Sequence, residues 1–162
     1  MNAPFIIQNI ASRLIRLKWQ LVTAESCTGG LIASVITEIP GSSLWFERGF
    51  VTYSNLSKHQ MLGVPQALLE RFGAVSEEVA SAMALGALQN STGDLALAVT
   101  GIAGPTGGSI EKPVGTVYLS WVMRNEPPFT LKKQFSGTRE EIRKSVCEEA
   151  LKGVAALIKD LN

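Results

Sequence analysis

Ser26 stands in a glycine-rich turn, Glu25-Ser26-Cys27-Thr28-Gly29-Gly30, between an apolar run ending at Ala24 and another starting at Leu31. A hydroxyl at this place reads in two ways. As the N-cap of the following helix it would satisfy one orphan amide and contribute about 1 kcal/mol. As a nucleophile it would attack an acyl carbon, with the amides of Cys27, Thr28, Gly29 and Gly30 as donors to the oxyanion. Glycine admits a close backbone approach, and a helix N-terminus favours developing negative charge.

A nucleophilic serine needs a base, and the chain has one histidine, His59. That count excludes most histidine triads, the H-E-x-x-H zinc sites and the two-histidine iron sites. Lys58 is the candidate base. At its reference pKa of about 10.4 a lysine is a poor base near neutrality. Burial, or a place near the start of a helix, disfavours the cation and lowers that value. Tyr53 could relay the proton or position the lysine. The ordinary alternatives are a solvated helix charge for Lys58 and a strand aromatic for Tyr53. His59 adjoins Lys58, points to another helix face and ranks below it.

A third loop, from Thr100 to Ser109, is the least ordinary segment. Five glycines fall from Gly101 through Gly115, with Pro105 and Pro113 among them. The loop lacks the G-K-[ST] ending of a triphosphate loop and the G-x-G-x-x-G of a dinucleotide fold. Its glycines allow a backbone to approach phosphate or sugar closely, the alternative being a long turn with no ligand. Glu25, Asp94 and Glu111 have no supporting cluster for metal binding.

The elements that must carry these loops follow from periodicity. Apolar positions Ile7, Ile10, Ala11 and Leu14 predict a first helix over 4–17, with arginines on its other face. The segment has no acidic residue before Glu25, as a transit peptide would, yet its pattern suits a helix packed on the domain. A strand over 21–24 and a buried helix over 31–36 flank the Ser26 turn. A second strand spans 48–53, and Ser54 or Asn55 caps a short helix bearing Lys58. Further helices follow Pro65 and run from Ser76 to about Gln89. Leu95 to Val99 reads as an interior strand. Val114 to Met123 and Phe129 to Phe135 read as two adjacent strands, and Thr138 to Glu141 as a capping box opening the last helix. The whole chain, 1–162, reads as one α/β domain, a three-layer α/β/α sandwich around one mixed sheet.

The composition agrees. Apolar residues make up 46 % and charged residues 18 % of 162, with 15 basic and 14 acidic side chains. A net charge of +1 offers no strong field for nucleic acid or an anionic membrane. No apolar run approaches the eighteen or so residues of a membrane span. Cys27 and Cys147 lack metal or redox spacing and suit reduced thiols in a microbial cytoplasm.

Four ordered segments make the chain recognisable. They are Thr23 to Gly30, Gly49 to Asn55 with Lys58, Gly73 to Ser76, and Thr100 to Pro105 with Gly107-Gly108 and Lys112 to Gly115. Together they closely resemble the CinA C-terminal domain family, the nicotinamide-nucleotide amidohydrolases once called competence/damage-inducible proteins. The resemblance runs from about Leu14 to the last helix. It implies removal of ammonia from the carboxamide of nicotinamide mononucleotide, without metal or organic cofactor. It places the family's catalytic serine, tyrosine and lysine on Ser26, Tyr53 and Lys58. It lays the nucleotide-holding loop on Thr100, Gly101, Gly104, Gly107 and Gly108. Arg139, in Gly137-Thr138-Arg139, is similar to a family arginine that could meet phosphate, or is only part of a cap.

Departures are small: Thr106 lies in a variable slot, and Ser57 precedes the lysine where a small residue is usual. Longer members carry an N-terminal pyrophosphatase-like domain, for which 162 residues leave no room. The resemblance further implies a homodimer. The competing expectation is a non-catalytic nucleotide-binding or protein-interaction module linked to competence and recombination.

Overall fold

The computed structural model describes residues 3–162. Its centre is a five-stranded sheet of order β2-β1-β3-β4-β5. The strands are β1 (Leu21–Glu25), β2 (Phe46–Val51), β3 (Leu95–Gly101), β4 (Thr116–Met123) and β5 (Phe129–Gln134). β1 pairs in parallel with both β2 and β3, while β4 and β5 continue from β3 as an antiparallel meander. A parallel strand must return through a crossover, and here the crossovers are helical. α2 (Leu31–Thr37) links β1 to β2. α3 (Asn55–Leu62), α4 (Gln66–Phe72) and α5 (Glu77–Gln89) link β2 to β3.

Both sheet faces are apolar, as strands covered on two sides require. Along β3, Leu95, Leu97 and Val99 join one core with α1 (Ala3–Leu17), α2 and α6 (Arg139–Leu157). Ala96 and Ala98 join the other, with α3, α4 and α5. The architecture is therefore the expected three layers around one mixed sheet. α1 buries Ile7, Ile10, Ala11 and Leu14, and packs on α6. Among the described residues no helix is long and apolar enough to cross a membrane.

Most elements lie where periodicity put them, with shifts at the ends. β2 starts two residues earlier than expected and stops at Val51, so Thr52 and Tyr53 lie beyond the strand. Ser54, rather than Asn55, caps α3, and its hydroxyl accepts from Ser57 N while Ser57 Oγ accepts from Ser54 N. The family departure at Ser57 thus completes a capping box.

One close contact fixes the helix that bears Lys58. Gly86 of α5 lies against the Leu62 carbonyl at the end of α3, and a Cβ there would fall well inside contact distance of that oxygen. Alanine is the better helix former by about 1 kcal/mol. Overpacking against backbone costs typically 1–3 kcal/mol, and this carbonyl cannot swing aside as a side chain could. Gly86→Ala is therefore expected to lower stability by up to about 2 kcal/mol, read as a reduced urea midpoint at unchanged slope.

Candidate active site

The strand order 2-1-3 places a topological switch point between β1 and β3, at their C-terminal ends. Open α/β sheets bind ligands in the crevice such a reversal creates. Ser26 follows β1 directly there, and its amide donates to Val99 O of β3 at 3.1 Å. Thr100 and Gly101 end the neighbouring strand.

Ser26 is not a helix cap. α2 begins at Leu31, after Gly30 at φ 97°, and no side chain caps it in the usual N-cap position. The orphan amides of Ile32 and Ala33 donate instead to the Glu25 carboxylate, at 2.9 and 3.0 Å. Glu25, fully buried at the end of β1, takes the capping role that a local reading gave to Ser26. The serine hydroxyl is thereby left for another partner.

That partner is Lys58. Its Nζ lies 2.9 Å from Ser26 Oγ, 2.9 Å from Thr52 O and 3.5 Å from Tyr53 O. The side chain is 1 % exposed and makes no ion pair with a carboxylate. Burial lowers its pKa from 10.5 to about 8, opposed by the nearby Cys27. The solvated-charge alternative for Lys58 is thus overturned. His59 turns away: its Nδ1 meets Val64 O at 2.9 Å, and it lines a separate surface groove with Gln66 and Glu70. Cys27 adjoins Ser26, yet burial pushes its thiol up to about 11, so it stays protonated near neutrality.

Ser26 and Lys58 open onto a cleft of about 270 Å³. Cys27, Tyr53 and Arg139 line it, as do Thr100, Gly101, Gly104 and Gly107. Thr28, Gly29, Gly30 and Gly108 do not. Thr28 is fully buried, and the Gly29 amide donates to Ser26 O at 3.1 Å. Gly30 lies against Val51, and a Cβ at Gly108 would come within 2.6 Å of Val114 N, so that glycine serves the packing of its own loop. Of the turn residues after Ser26, Cys27 is the one that lines the cleft, and its amide makes no hydrogen bond to another residue among those described.

Tyr53 is 62 % exposed, and its hydroxyl accepts from Arg139 Nη2 at 3.0 Å rather than meeting Lys58. Its backbone carbonyl, not its phenol, faces the lysine. Arg139 also donates to Gly104 O at 2.8 Å, so it ties the 53 and 104 loops together at the mouth. Thr100 Oγ1 is spent on Ala74 O at 2.8 Å, which draws the segment before α5 to the end of β3. Ala74 and Val75 consequently line the cleft, as does Asn55 at the start of α3. Residue-type reasoning gave none of these three a place in the cleft. The Gly73-Ala74-Val75-Ser76 segment was the available signal for two of them.

Taken together, the fold and this pair define an α/β protein with a serine hydroxyl and a buried amine on a cleft at the sheet's switch point. The profile of the CinA C-terminal domain matches residues 4–158. A protein of Enterobacter agglomerans, named nicotinamide-nucleotide amidohydrolase PncC, is 58 % identical over 125 residues, 77 % of this chain and 76 % of that protein. The Pseudomonas putida protein of the same name is 50 % identical over 148 residues, covering 91 % and 92 %. The crystal structure of the competence/damage inducible protein CihA from Agrobacterium tumefaciens superposes with a TM-score of 0.95 at 46 % identity, over 97 % of this chain and 96 % of that one. The chain belongs to the CinA C-terminal domain family.

Proposed function

We propose that this chain hydrolyses the carboxamide of nicotinamide mononucleotide to nicotinic acid mononucleotide and ammonia, as one amidohydrolase domain. The relatives that carry that name support the reaction. The observation that carries the mechanism is the 2.9 Å contact between Ser26 Oγ and a Lys58 amine held without a carboxylate. A pure binding module has no use for a buried lysine on a serine hydroxyl.

In this reading neutral Lys58 accepts the hydroxyl proton as Ser26 Oγ bonds to the amide carbon. The carbonyl oxygen takes the electron pair and faces the Cys27 amide. The tetrahedral centre collapses, the C–N bond breaks, and the lysine ammonium passes its proton to the nitrogen, which leaves as ammonia. Water then attacks the ester, giving one proton to Lys58, and that proton returns to Ser26 as the acid departs. Thr52 O and Tyr53 O hold the amine in line throughout. Arg139 is the permanently charged side chain of the cleft among the described residues, and no carboxylate lines it. Such a lining suits an anionic mononucleotide. The chain acts in the cytoplasm, as a homodimer that sedimentation would register.

The test is ammonia and nicotinic acid mononucleotide formed in equal amounts from nicotinamide mononucleotide. Release of neither would refute the reading. The pH dependence has a definite sign. The base is the neutral amine, so protonation below about 8 removes it. We expect kcat/KM to fall about tenfold per pH unit on the acid side of a value near 8 and to level above it. A profile flat from pH 6 to 9 would oppose Lys58 as base.

A further inference from the structure

The Ser26 turn is braced from outside by α6. Arg143 Nε donates to Cys27 O at 3.2 Å and its Nη2 to Thr28 O at 2.7 Å. The guanidinium also lies over Gly29, where an added Cβ would be 3.5 Å from Nη2. Thr28 O has a second partner in Leu31 N, but Cys27 O has no other hydrogen-bond donor among the described residues. Arg143 borders no part of the cleft.

The geometry points to Arg143 as a positioning residue for the reaction, one that holds the peptide planes of the turn so that Ser26 Oγ and the Cys27 amide keep their aim into the cleft. A trans peptide is planar, with its N–H opposed to its C=O. The Gly29 amide fixes the Ser26 carbonyl, and with it the Cys27 N–H on the far side of that plane. The next plane, Cys27 to Thr28, is anchored by Arg143 alone. With that anchor removed, the part-buried Cys27 carbonyl has no protein donor and its plane is free to turn. Such a turn alters the torsions at Cys27, the residue that joins the two planes. The planar two-donor fork of arginine suits adjacent carbonyls, and an ammonium reproduces it only in part.

This inference rests on Ser26 as nucleophile, so two readouts separate the claims. One is ammonia release from nicotinamide mononucleotide. The other needs no substrate: the rate at which phenylmethanesulfonyl fluoride labels Ser26, followed by mass spectrometry. In Arg143→Ala we expect kcat to fall about 10- to 100-fold, the range a displacement near 1 Å produces. KM should stay within about threefold, since Arg143 touches no substrate, and Ser26 labelling should slow in parallel. Arg143→Lys should lie between, and added guanidinium at non-denaturing concentration should restore part of the loss in Arg143→Ala but none in Ser26→Ala.

Unchanged kcat and labelling in a folded Arg143→Ala protein overturn the inference. So does a loss that guanidinium does not relieve and Arg143→Lys does not lessen. If wild type labels at Ser26 but releases no ammonia, the proposed function fails while the labelling series still decides the role of Arg143. Failure of wild type to label and to release ammonia overturns both.

Discussion

Replacing Ser26 by alanine is expected to lower kcat for ammonia release by about 10⁴-fold or more, with the protein remaining folded. The magnitude follows from the chemistry lost: without Oγ there is no covalent intermediate, and only cleft binding and the Cys27 amide remain to help water. No neighbouring group can take over. The adjacent Cys27 thiol is pushed up to about 11 and stays protonated, and His59 faces Val64 O in a different groove. Structure should survive, because the hydroxyl serves no cap. α2 is capped by Glu25, and Ser26 meets its neighbours through a backbone that alanine preserves. Circular dichroism and a thermal midpoint near that of wild type would separate lost chemistry from lost fold.

Lys58→Met and Lys58→Arg form the second large prediction. A general base contributes about 10²- to 10⁴-fold, and Lys58 acts on both the entering and leaving protons, so kcat should fall about 10³-fold or more in each variant. Methionine keeps the length of the buried stem and removes the amine. Arginine keeps the charge but cannot be deprotonated in a protein. If Lys58 served only as a fixed positive charge, the Lys58→Arg protein would retain much of the activity, so the two variants together isolate proton transfer. The residual rate should also lose the limb near pH 8, because the group that titrates there is gone.

The layers and the pairing of Ser26 with Lys58 were legible because they rest on simple signals. Apolar runs at Leu21 to Ala24 and Leu95 to Val99 bounded by turn residues read as buried strands, and one histidine in 162 residues directs the search for a base to lysine. What stayed open depends on distant geometry. Propensity favours a serine as N-cap, and nothing local tells that a glutamate rising from the previous strand reaches Ile32 and Ala33. Tyr53 was legible as a cleft residue, but which of its oxygens faces Lys58 depends on the backbone beyond β2. Among the glycines of the third loop, Gly104 and Gly107 border the cleft while Gly108 only makes room for Val114. Composition cannot tell those uses apart. Arg143 lies 116 residues from the carbonyl it holds, a pairing no spacing rule anticipates.

The central claim is that hydrolysis passes through an ester on Ser26 Oγ. Rapid acid quenching of wild type during turnover of nicotinamide mononucleotide, followed by peptide mass mapping, tests it most directly. The account predicts a transient adduct equal to the substrate less ammonia, confined to the peptide that carries Glu25 to Gly30 and localised on Ser26. An adduct on any other residue, or full turnover with no adduct from the first milliseconds to steady state, would contradict it.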